Sequence, residues 1–432
     1  MELLDIVFYA ICGPLILYAI YFSGAPFLSL TGIYLRMTLV LTYIPAYYVY
    51  RGGINLSESS QILPFIYFLL FFQNIVSAIS ALVVWHVKCN LKINFILRKN
   101  HAYIFWALVF LVVVCTISYF LTFQEKIPIL QIVNGNFLQA ASSRAELTHD
   151  LVSDASIFSF YRPVTKDLLF ILLGALILSK QISGSLKVIC FLFLSASLLA
   201  HLEKSYVFML ALLLFSIKNF HRSVSRRAEI GLSLGIIFLL FAATYIFFTE
   251  DIYEAIQYLP YRLMLQTGYI SEQLNIARSY GTLYFEGINM GFVGRMFGIE
   301  HIDISKLAWA SVHADMSAIG ISGSSAGLAA ADSYMLFSYL GLLLMPIILA
   351  LHFLIDKILR KAVILNGDSK NIYPVDCSFY IYLISLYPIY LISSFFGFFA
   401  FPYIFQPGLL FAGLILIAMY AITFRTTRSL SV

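Results

Sequence analysis

Two basic residues beside a predicted helix start are the first side chains that suggest chemistry. In the stretch YRPVTKDLLF, Pro163 lies just inside the predicted start, a position that proline favours. Arg162 and Lys166 flank it, where the helix presents free N–H groups and the positive end of its dipole. Because a guanidinium forms a planar fork that matches phosphate oxygens, this pattern indicates an anion site with phosphate as the natural ligand. The alternative is that both side chains only reach to lipid head groups.

A second group of candidate residues follows later, in SVHADMSAIGISGSSAGLAAADSYM. His313 and Asp315 are candidate proton-transfer groups, because histidine is the commonest general acid or base. A lone histidine in a loop can also be simply solvated, and both interpretations stay open. Residues 320–331 are mostly small, so a substrate or a neighbouring backbone can approach them closely. Asp332 then opens the next apolar segment.

Several arginines lie before this stretch, on what is predicted below to be the same outer side. Residues 261–279 predict a helix in the membrane interface, with Tyr and Leu side chains towards the lipid. Arg262 and Arg278 are sixteen residues apart, which rotates one from the other by about 160° on a straight helix. They would converge only if the helix bends near Gly268. Arg278 is therefore the better candidate of the two.

The sequence HLEK interrupts residues 194–215, which are otherwise strongly apolar. One interpretation is a hairpin of two short helices whose turn carries Glu203 and Lys204 in a wetted recess below the outer surface. The other is one long helix with three polar groups buried at its centre. Charged groups inside a membrane usually face a polar cavity or mark a functional site. A local Glu–Lys pair in an ordinary polar turn explains the same residues.

The elements that must position these residues are membrane helices. Hydrophobic residues make up 61% of the 432-residue chain and charged ones 11%, and apolar windows long enough to cross about 30 Å of hydrocarbon recur throughout. The fold class is therefore all-α, a single polytopic integral membrane domain over residues 1–432 with about eleven (ten to twelve) transmembrane helices. The predicted spans are roughly 4–22, 30–50, 62–85, 102–122, 166–179, 186–200, 204–218, 230–249, 333–354, 376–397 and 407–424.

Basic residues orient these spans. Most of the Lys and Arg residues fall in the short connections on one side and in the C-terminal tail, which marks that side as cytoplasmic. The N-terminus is then predicted outside, as are two long loops, 123–165 and 250–332. Loops of this length in a compact protein are usually functional. The second is rich in Tyr and Phe and is expected to lie along the membrane surface.

The sequence contains little that indicates a metal, nucleotide or nucleic-acid site. The five cysteines have no metal-ligand spacing, no glycine-rich nucleotide loop is present, and the net charge of +5 indicates no nucleic-acid partner. No cofactor and no metal is expected.

The full-length layout, with its two long outer loops and a charged turn between short helices, resembles bacterial O-antigen polymerases of the Wzy type. Three stretches carry the resemblance locally: YRPVTKDLL, LEKSYVFML and GSSAGLAAADSYMLFSYLG. In related proteins the last commonly reads as a Gly–Ser-rich sequence, an acidic residue, Tyr, and an aromatic residue before Gly. Those places are held here by Asp332, Tyr334, Phe337 and Gly341.

The resemblance implies a GT-C-like glycosyltransferase in the bacterial inner membrane with a site facing the periplasm. Such an enzyme moves a growing chain from undecaprenyl diphosphate onto a new lipid-linked repeat unit, and a chain-length-determinant protein is the expected partner. Cations would hold the leaving diphosphate and a base would activate the attacking hydroxyl. For the cations the candidates are Arg162, Arg278, Arg144, Lys204 and Lys166. For the base they are Glu203, Asp332 and His313.

Two other functions remain as alternatives. An O-antigen ligase uses the same kind of donor but transfers the finished chain to lipid A–core. A lipid-linked oligosaccharide flippase is a more distant alternative, because flippases need charges through the membrane core and often two related halves. Only Arg36 lies clearly inside a predicted span, and no halves match.

Overall fold

The computed structural model describes eleven helices and two short 3₁₀ turns. The described residues are 2–25, 29–39, 63–87, 102–135, 143, 165–179, 181–200, 251–287, 294, 296–318 and 328–367, with 231, 234, 235, 238, 413–415 and 417–418. All regular structure in this part is helical. The helices are α1 (Glu2–Phe22), α2 (Leu30–Thr38), α3 (Leu63–His86), α4 (Ala102–Thr122), α5 (Pro128–Val133), α6 (Lys166–Leu178), α7 (Gly184–Leu199), α8 (Ile252–Tyr280), α9 (Ile304–Val312), α10 (Ala314–Ala318) and α11 (Ala329–Gly367). The 3₁₀ turns are Gln124–Lys126 and Tyr284–Gly287.

Three of the described helices are long and apolar enough to cross a membrane: Pro64–His86, Tyr103–Thr122 and Ala329–Ile358. Tyr9–Phe22 and Gly184–Leu199 are shorter apolar helices. Many of their large apolar side chains are exposed, Phe110 and Leu343 among them, which is unfavourable in water and ordinary against lipid. The described part is therefore all-α and has the character of a membrane-embedded protein.

One apolar core joins α1, α2, α3, α11 and the C-terminal part of α8. Helix α11 buries Leu342, Met345, Leu349 and Phe353, spaced three or four residues apart, which is the spacing of one helix face. The opposite face exposes Leu343, Ile347 and Leu351 at intervals of four residues. A helix apolar on both faces, one packed and one exposed, is what a membrane requires at the edge of a bundle.

Helix α11 consists of two arms that meet at a sharp break. Phe337 and Ser338 have non-helical backbone angles, and Ser338 has a φ of 54°. A Cβ added at Gly341 would overlap the carbonyl oxygen of Ser333. In a straight helix these residues would be about 12 Å apart along the axis, so the chain turns back on itself at the break. We call residues 329–336 the short arm, residues 339–367 the long arm, and the two together the hairpin.

Contacts with α3 establish the direction of each arm. The Ala330 amide donates to Oε1 of Gln73 at 3.1 Å, and the ring of Tyr334 packs on Phe65 at 4.7 Å between centroids. As the short arm advances it therefore moves towards the start of α3. The long arm runs the other way, because Lys357 contacts the C-terminal end of α3. The short arm is thus a re-entrant helix whose N-terminus lies partway down α3.

A buried polar cluster joins three helices at the other end of the long arm. Thr31, at the start of α2, donates its amide and its hydroxyl to one oxygen of Asp356, at 2.8 and 2.7 Å. Lys357 donates to the carbonyls of Val84, Trp85 and Val87 at the end of α3. Adjacent acidic and basic residues thus meet the positive end of one helix dipole and the negative end of another. We call this group the Lys357 end of the bundle.

Replacing Asp356 with alanine is expected to lower the unfolding free energy by about 3 kcal/mol, because it leaves a buried amide and a buried hydroxyl of Thr31 without their acceptor. Asp303 provides a matched control, since it also caps a helix N-terminus but lies near the surface, 3.1 Å from the Lys306 amide. Asp303→Ala should cost about 1 kcal/mol. Thermal unfolding in detergent measures both, and equal losses would contradict the buried capping role.

The structure agrees with several predicted helix bounds and changes two other expectations. The bounds of α3, α4, α6 and α7 lie within a few residues of the predicted spans. The ninth span is predicted as one helix over 333–354, but Phe337 and Ser338 interrupt the helix, so Asp332 lies on the short arm and the long arm begins after the break. The predicted interfacial helix starts earlier than expected, at Ile252, behind the N-cap Asp251. Predicted spans 204–218 and 376–397 lie outside the described residues, and the total of eleven stays a prediction.

Candidate functional site

Asp332 lies in the first turn of the short arm. Contacts of its neighbours with α3 give its position along the α3 axis. Ala330 is bonded to Gln73, and Tyr334 packs on Phe65, so Asp332 lies between these two residues along the α3 axis. Gln73 is twelve residues and Phe65 twenty residues from Trp85, or about 18 and 30 Å of helix rise. Asp332 therefore lies below the N-terminal end of α3, at the depth of the apolar bundle, although the sequence predicts it at the membrane surface.

The Asp332 carboxylate has no hydrogen-bond partner within the described part of the chain, although the residue is half-buried. Its amide bonds to the Leu328 carbonyl in ordinary helical fashion, so only the side chain is unengaged. A carboxylate at such a depth is costly, and a residue of this kind usually marks a functional site. The position in the first helical turn lowers that cost, since the positive end of the helix dipole favours an acidic group there.

The short arm is held by polar residues of α3 that the sequence did not single out. Gln73, Asn74 and Ser77 are fully buried, and the amide of Gln73 caps the N-terminus of the short arm. Ser77 donates to the Gln73 carbonyl at 2.6 Å and Asn74 to the Leu70 carbonyl at 2.7 Å. The run QNIVSAIS inside an apolar helix was the available signal. However, the sequence alone does not predict the hairpin, so it does not predict what these residues contact.

His313 forms the second polar group, together with a tyrosine of α8. It lies on the turn between α9 and α10, and its Nε2 is 2.6 Å from the Tyr269 hydroxyl. Trp309 covers the ring at 5.0 Å between centroids. If Nε2 carries the proton, it donates to the phenol oxygen and leaves Nδ1 unprotonated, as a base requires. If the phenol instead donates to Nε2, the proton lies on Nδ1. In both tautomers the tyrosine orients the imidazole.

A second hydrogen bond links the same two helices one turn further along. Ser311 donates to Oε1 of Glu272 at 2.6 Å, and Glu272 follows Tyr269 by three residues on α8. Residues three apart share a helix face, so both contacts fasten α9 to one side of α8. Glu272 and Tyr269 were not identified from the sequence, because their partners lie 39 and 44 residues away.

Tyr269→Phe is expected to lower the unfolding free energy by about 1 kcal/mol, because it removes one part-buried hydrogen bond and keeps the ring. Tyr280→Phe in the last turn of the same helix is the control, since that ring is exposed. Thermal unfolding in detergent should separate the two variants. Identical melting temperatures would show that the Tyr269–His313 contact contributes nothing to folding.

His313 and Asp332 do not hydrogen-bond to each other, and Arg278 joins neither. Arg278 is exposed in the last turn of α8, nine residues after Tyr269. On an ideal helix that spacing corresponds to about 13.5 Å of rise and about half a turn, so Arg278 faces away from the histidine pair. Within the described residues Arg278 has no ion pair, which leaves its guanidinium open to an external anion.

Lys166 begins α6, and the described helix starts there with Thr165 as its N-cap residue. Thr165 makes no side-chain capping bond. Asp167, the next residue, is 5% exposed and adds a carboxylate to the same helix end. That acidic group already complements the helix dipole and opposes a bound anion, so the structure weakens Lys166 as a phosphate ligand.

The remaining candidates, Arg144, Arg162, Glu203 and Lys204, lie outside the described residues, as do Pro163 and the whole HLEK turn. The approach to that turn is described: α7 ends at Leu199, and the Ala200 carbonyl accepts from the Ile129 amide at 3.2 Å. The end of α7 therefore contacts the beginning of the first long loop. Ala200 directly precedes HLEK in the sequence, and the contact does not distinguish a hairpin from one long helix.

Similarity to known proteins adds nothing to this geometry. No family model, no curated protein and no solved structure matches the chain.

Proposed function

We propose that this protein polymerises undecaprenyl-diphosphate-linked oligosaccharide repeat units into a surface polysaccharide, the O-antigen, at the periplasmic face of the bacterial inner membrane. The proposal includes a GT-C-like architecture with about eleven transmembrane helices, and the two long loops on the periplasmic side. Membrane lipid and a chain-length-determinant protein are the proposed partners.

The observation that supports it most directly concerns the four motif residues: three of them build the hairpin, whereas the side chain of Asp332 makes no hydrogen bond in the described structure. Tyr334 packs on Phe65 and Tyr339, Phe337 lies at the break, and Gly341 allows the two arms to meet. Each of these three has a structural reason to be where it is. The Asp332 carboxylate, by contrast, makes no hydrogen bond in the described structure. A motif that builds a hairpin and leaves its acid unengaged fits a residue kept for chemistry.

The reaction needs a base close to the membrane surface. The hydroxyl at the non-reducing end of the new repeat unit attacks the anomeric carbon of the growing chain, and the base removes the hydroxyl proton. The bond from that carbon to the diphosphate oxygen breaks, and undecaprenyl diphosphate leaves with the electron pair. Both substrates are anchored in lipid by their polyprenyl tails, so the reacting atoms lie near the hydrocarbon boundary. With the N-terminal end of α3 on the proposed periplasmic side, Asp332, which lies between the levels of Phe65 and Gln73, suits this depth.

His313 is the other proposed base. In the tautomer whose Nε2 donates to Tyr269, Nδ1 is the nitrogen that accepts the hydroxyl proton. Glu203 remains a third proposal. The two groups in the described part, Asp332 and His313, are not hydrogen-bonded to each other, and mutagenesis can therefore separate them.

For the leaving diphosphate we propose Arg278 first, with Arg144, Arg162, Lys204 and Lys166 as further ligands. Arg278 is exposed and free of ion pairs in the described structure, which suits a transient anion. Two or more cations are needed, because a diphosphate leaving group develops charge that arginine forks stabilise. The proposal requires no nucleotide, since the energy of the transfer lies in the sugar–diphosphate bond.

Deletion of the gene in its own host, followed by electrophoresis of the lipopolysaccharide, tests the proposal. Loss of the ladder with a single repeat unit still attached to core is the expected result. Complete loss of O-chain with accumulation of lipid-linked polymer would contradict it in favour of a ligase. An unchanged ladder would remove both glycosyltransferases and return attention to transport.

A further inference from the structure

We infer that the 3₁₀ turn Tyr284–Gly287 is a membrane-interface anchor, whose Tyr284 and Phe285 side chains enter the boundary between lipid head groups and acyl chains on the side opposite the Lys357 end. The partner is the lipid surface itself. The inference rests on depth, packing and exposure, and it does not depend on the reaction proposed above.

The turn is fastened to the apex of the hairpin. The Leu283 amide donates to the Met335 carbonyl at 3.2 Å, immediately before the break. The rings of Tyr284 and Phe285 both pack edge-on against Phe337, at 6.0 and 5.9 Å between centroids. The turn therefore shares the depth of residues 335–337, whatever the course of the rest of the loop.

That depth coincides with a hydrocarbon boundary. The Lys357 end carries a buried lysine, an aspartate and three helix-terminal carbonyls, which marks one side of the apolar layer. From Lys357 back to Ser338 the long arm rises by about 28 Å, close to the roughly 30 Å thickness of a bilayer core. The apex and the turn attached to it thus lie at the opposite boundary.

The exposed side chains of the long arm also indicate that the apex lies at a hydrocarbon boundary. Leu351, Leu343 and Tyr339 expose their side chains one above another along the arm, at spacings of four or eight residues. Such a stripe on a membrane helix faces lipid. Tyr339 is its last member before the break, and its ring packs on Tyr334 at the apex. The aromatic pair of the turn lies at the same end of the long arm, in contact with Phe337.

The two aromatic side chains are also presented outwards. Tyr284 is 58% and Phe285 55% exposed, and Tyr284 has a φ of 45°, rare for a residue with a Cβ. A strained backbone of this kind persists only where surrounding contacts hold it, here the bonds from Leu283 to Met335 and from Ile302 to the Glu286 carbonyl. Tyrosine and phenylalanine with half their surface exposed suit an interface, where an apolar ring and a polar hydroxyl are both accommodated.

Photo-crosslinking tests the inference. Benzoylphenylalanine replaces Tyr284 or Phe285 singly. The full chain is then reconstituted in vesicles of phosphatidylethanolamine and phosphatidylglycerol at a ratio of about 3:1. After illumination, mass spectrometry measures the yield of lipid adducts. Leu343, on the lipid-facing stripe, is the positive control and exposed Asp315 the negative one. We expect both aromatic positions to give adducts at roughly ten times the yield at Asp315, approaching the yield at Leu343, because aromatic side chains concentrate at the interface.

Lipid adduct yields at both positions no higher than at Asp315 would overturn the inference. Crosslinks to an added water-soluble oligosaccharide in place of lipid would also overturn it, and would indicate a sugar-stacking surface. The two positions are exposed and already aromatic, so the replacement is mild, and each serves as a check on the other. None of these outcomes depends on polymerase activity, so a failed anchor and a failed polymerase are separate results.

Discussion

Gly341→Ala is expected to lower the unfolding free energy by about 3 kcal/mol or more, the upper end of the cost of overpacking. The added Cβ would overlap the Ser333 carbonyl oxygen, a backbone atom that cannot rotate away, and it would also crowd the Cβ of Phe337. The two arms can then meet only if the break at Phe337 and Ser338 opens. We expect a lower melting temperature in detergent and less monodisperse protein on size-exclusion chromatography.

Gly184→Ala is the matched control for this change. Gly184 is the first residue of α7, and a Cβ there meets no atom within 4 Å. Because alanine favours helices over glycine by up to about 1 kcal/mol, this variant should be as stable as the parent or slightly more so. A Gly341→Ala protein with the melting temperature of the parent would show that the two arms are not in the close contact described here.

Asp332→Asn is expected to reduce polymer formation by roughly a hundredfold or more, the range that general-base catalysis contributes. Asparagine has nearly the same shape and cannot accept the hydroxyl proton. Because the carboxylate has no hydrogen-bond partner in the described structure to lose, the melting temperature should not fall. The readout is the lipopolysaccharide ladder of the deletion strain complemented with the variant, together with the amount of folded protein in the membrane.

Glu300→Gln serves as the control, since this exposed acid lies in the same long loop, has no proposed role, and should leave the ladder intact. His313→Ala in the same assay separates the two proposed bases. Loss of the ladder in the histidine variant with a normal ladder in Asp332→Asn would assign the base to His313. A normal ladder in both would remove both residues from the catalytic proposal and leave Glu203.

The membrane character and the positions of most described helices follow from local sequence. An apolar run of twenty or more residues can satisfy its backbone in lipid only as a helix, so α3 and α4 are predicted within about one residue at each end. Helix α7 is bounded by Ser183, whose hydroxyl accepts from the Leu186 amide, and it ends just before HLEK. Local signals of this kind need no knowledge of the rest of the chain.

The hairpin could not be predicted in the same way, because its break carries no local signal. Phe337 and Ser338 are neither glycine nor proline, and the residues on both sides favour helix, so the pattern predicts one span opened by Asp332. What determines the break is packing: Gly341 against Ser333, Tyr334 on Phe65, and Ala330 capped by Gln73. Each of these contacts joins residues that are distant in sequence or would be distant in a straight helix.

The candidate site, like the fold, could be predicted from the sequence only in part. Residue types suggested His313 and Asp315 as proton-transfer groups and Arg278 as a cation for phosphate, and the family resemblance added Asp332 as a candidate base. Only the tertiary structure decided that Tyr269, 44 residues away, orients His313, that Arg278 faces the other side of the same helix, and that Asp332 lies below the end of α3 on a re-entrant arm. Composition and periodicity determine which segments enter a membrane, because transfer into lipid depends on each segment alone. Which side chains meet depends on how the helices pack, and that is a property of the whole chain.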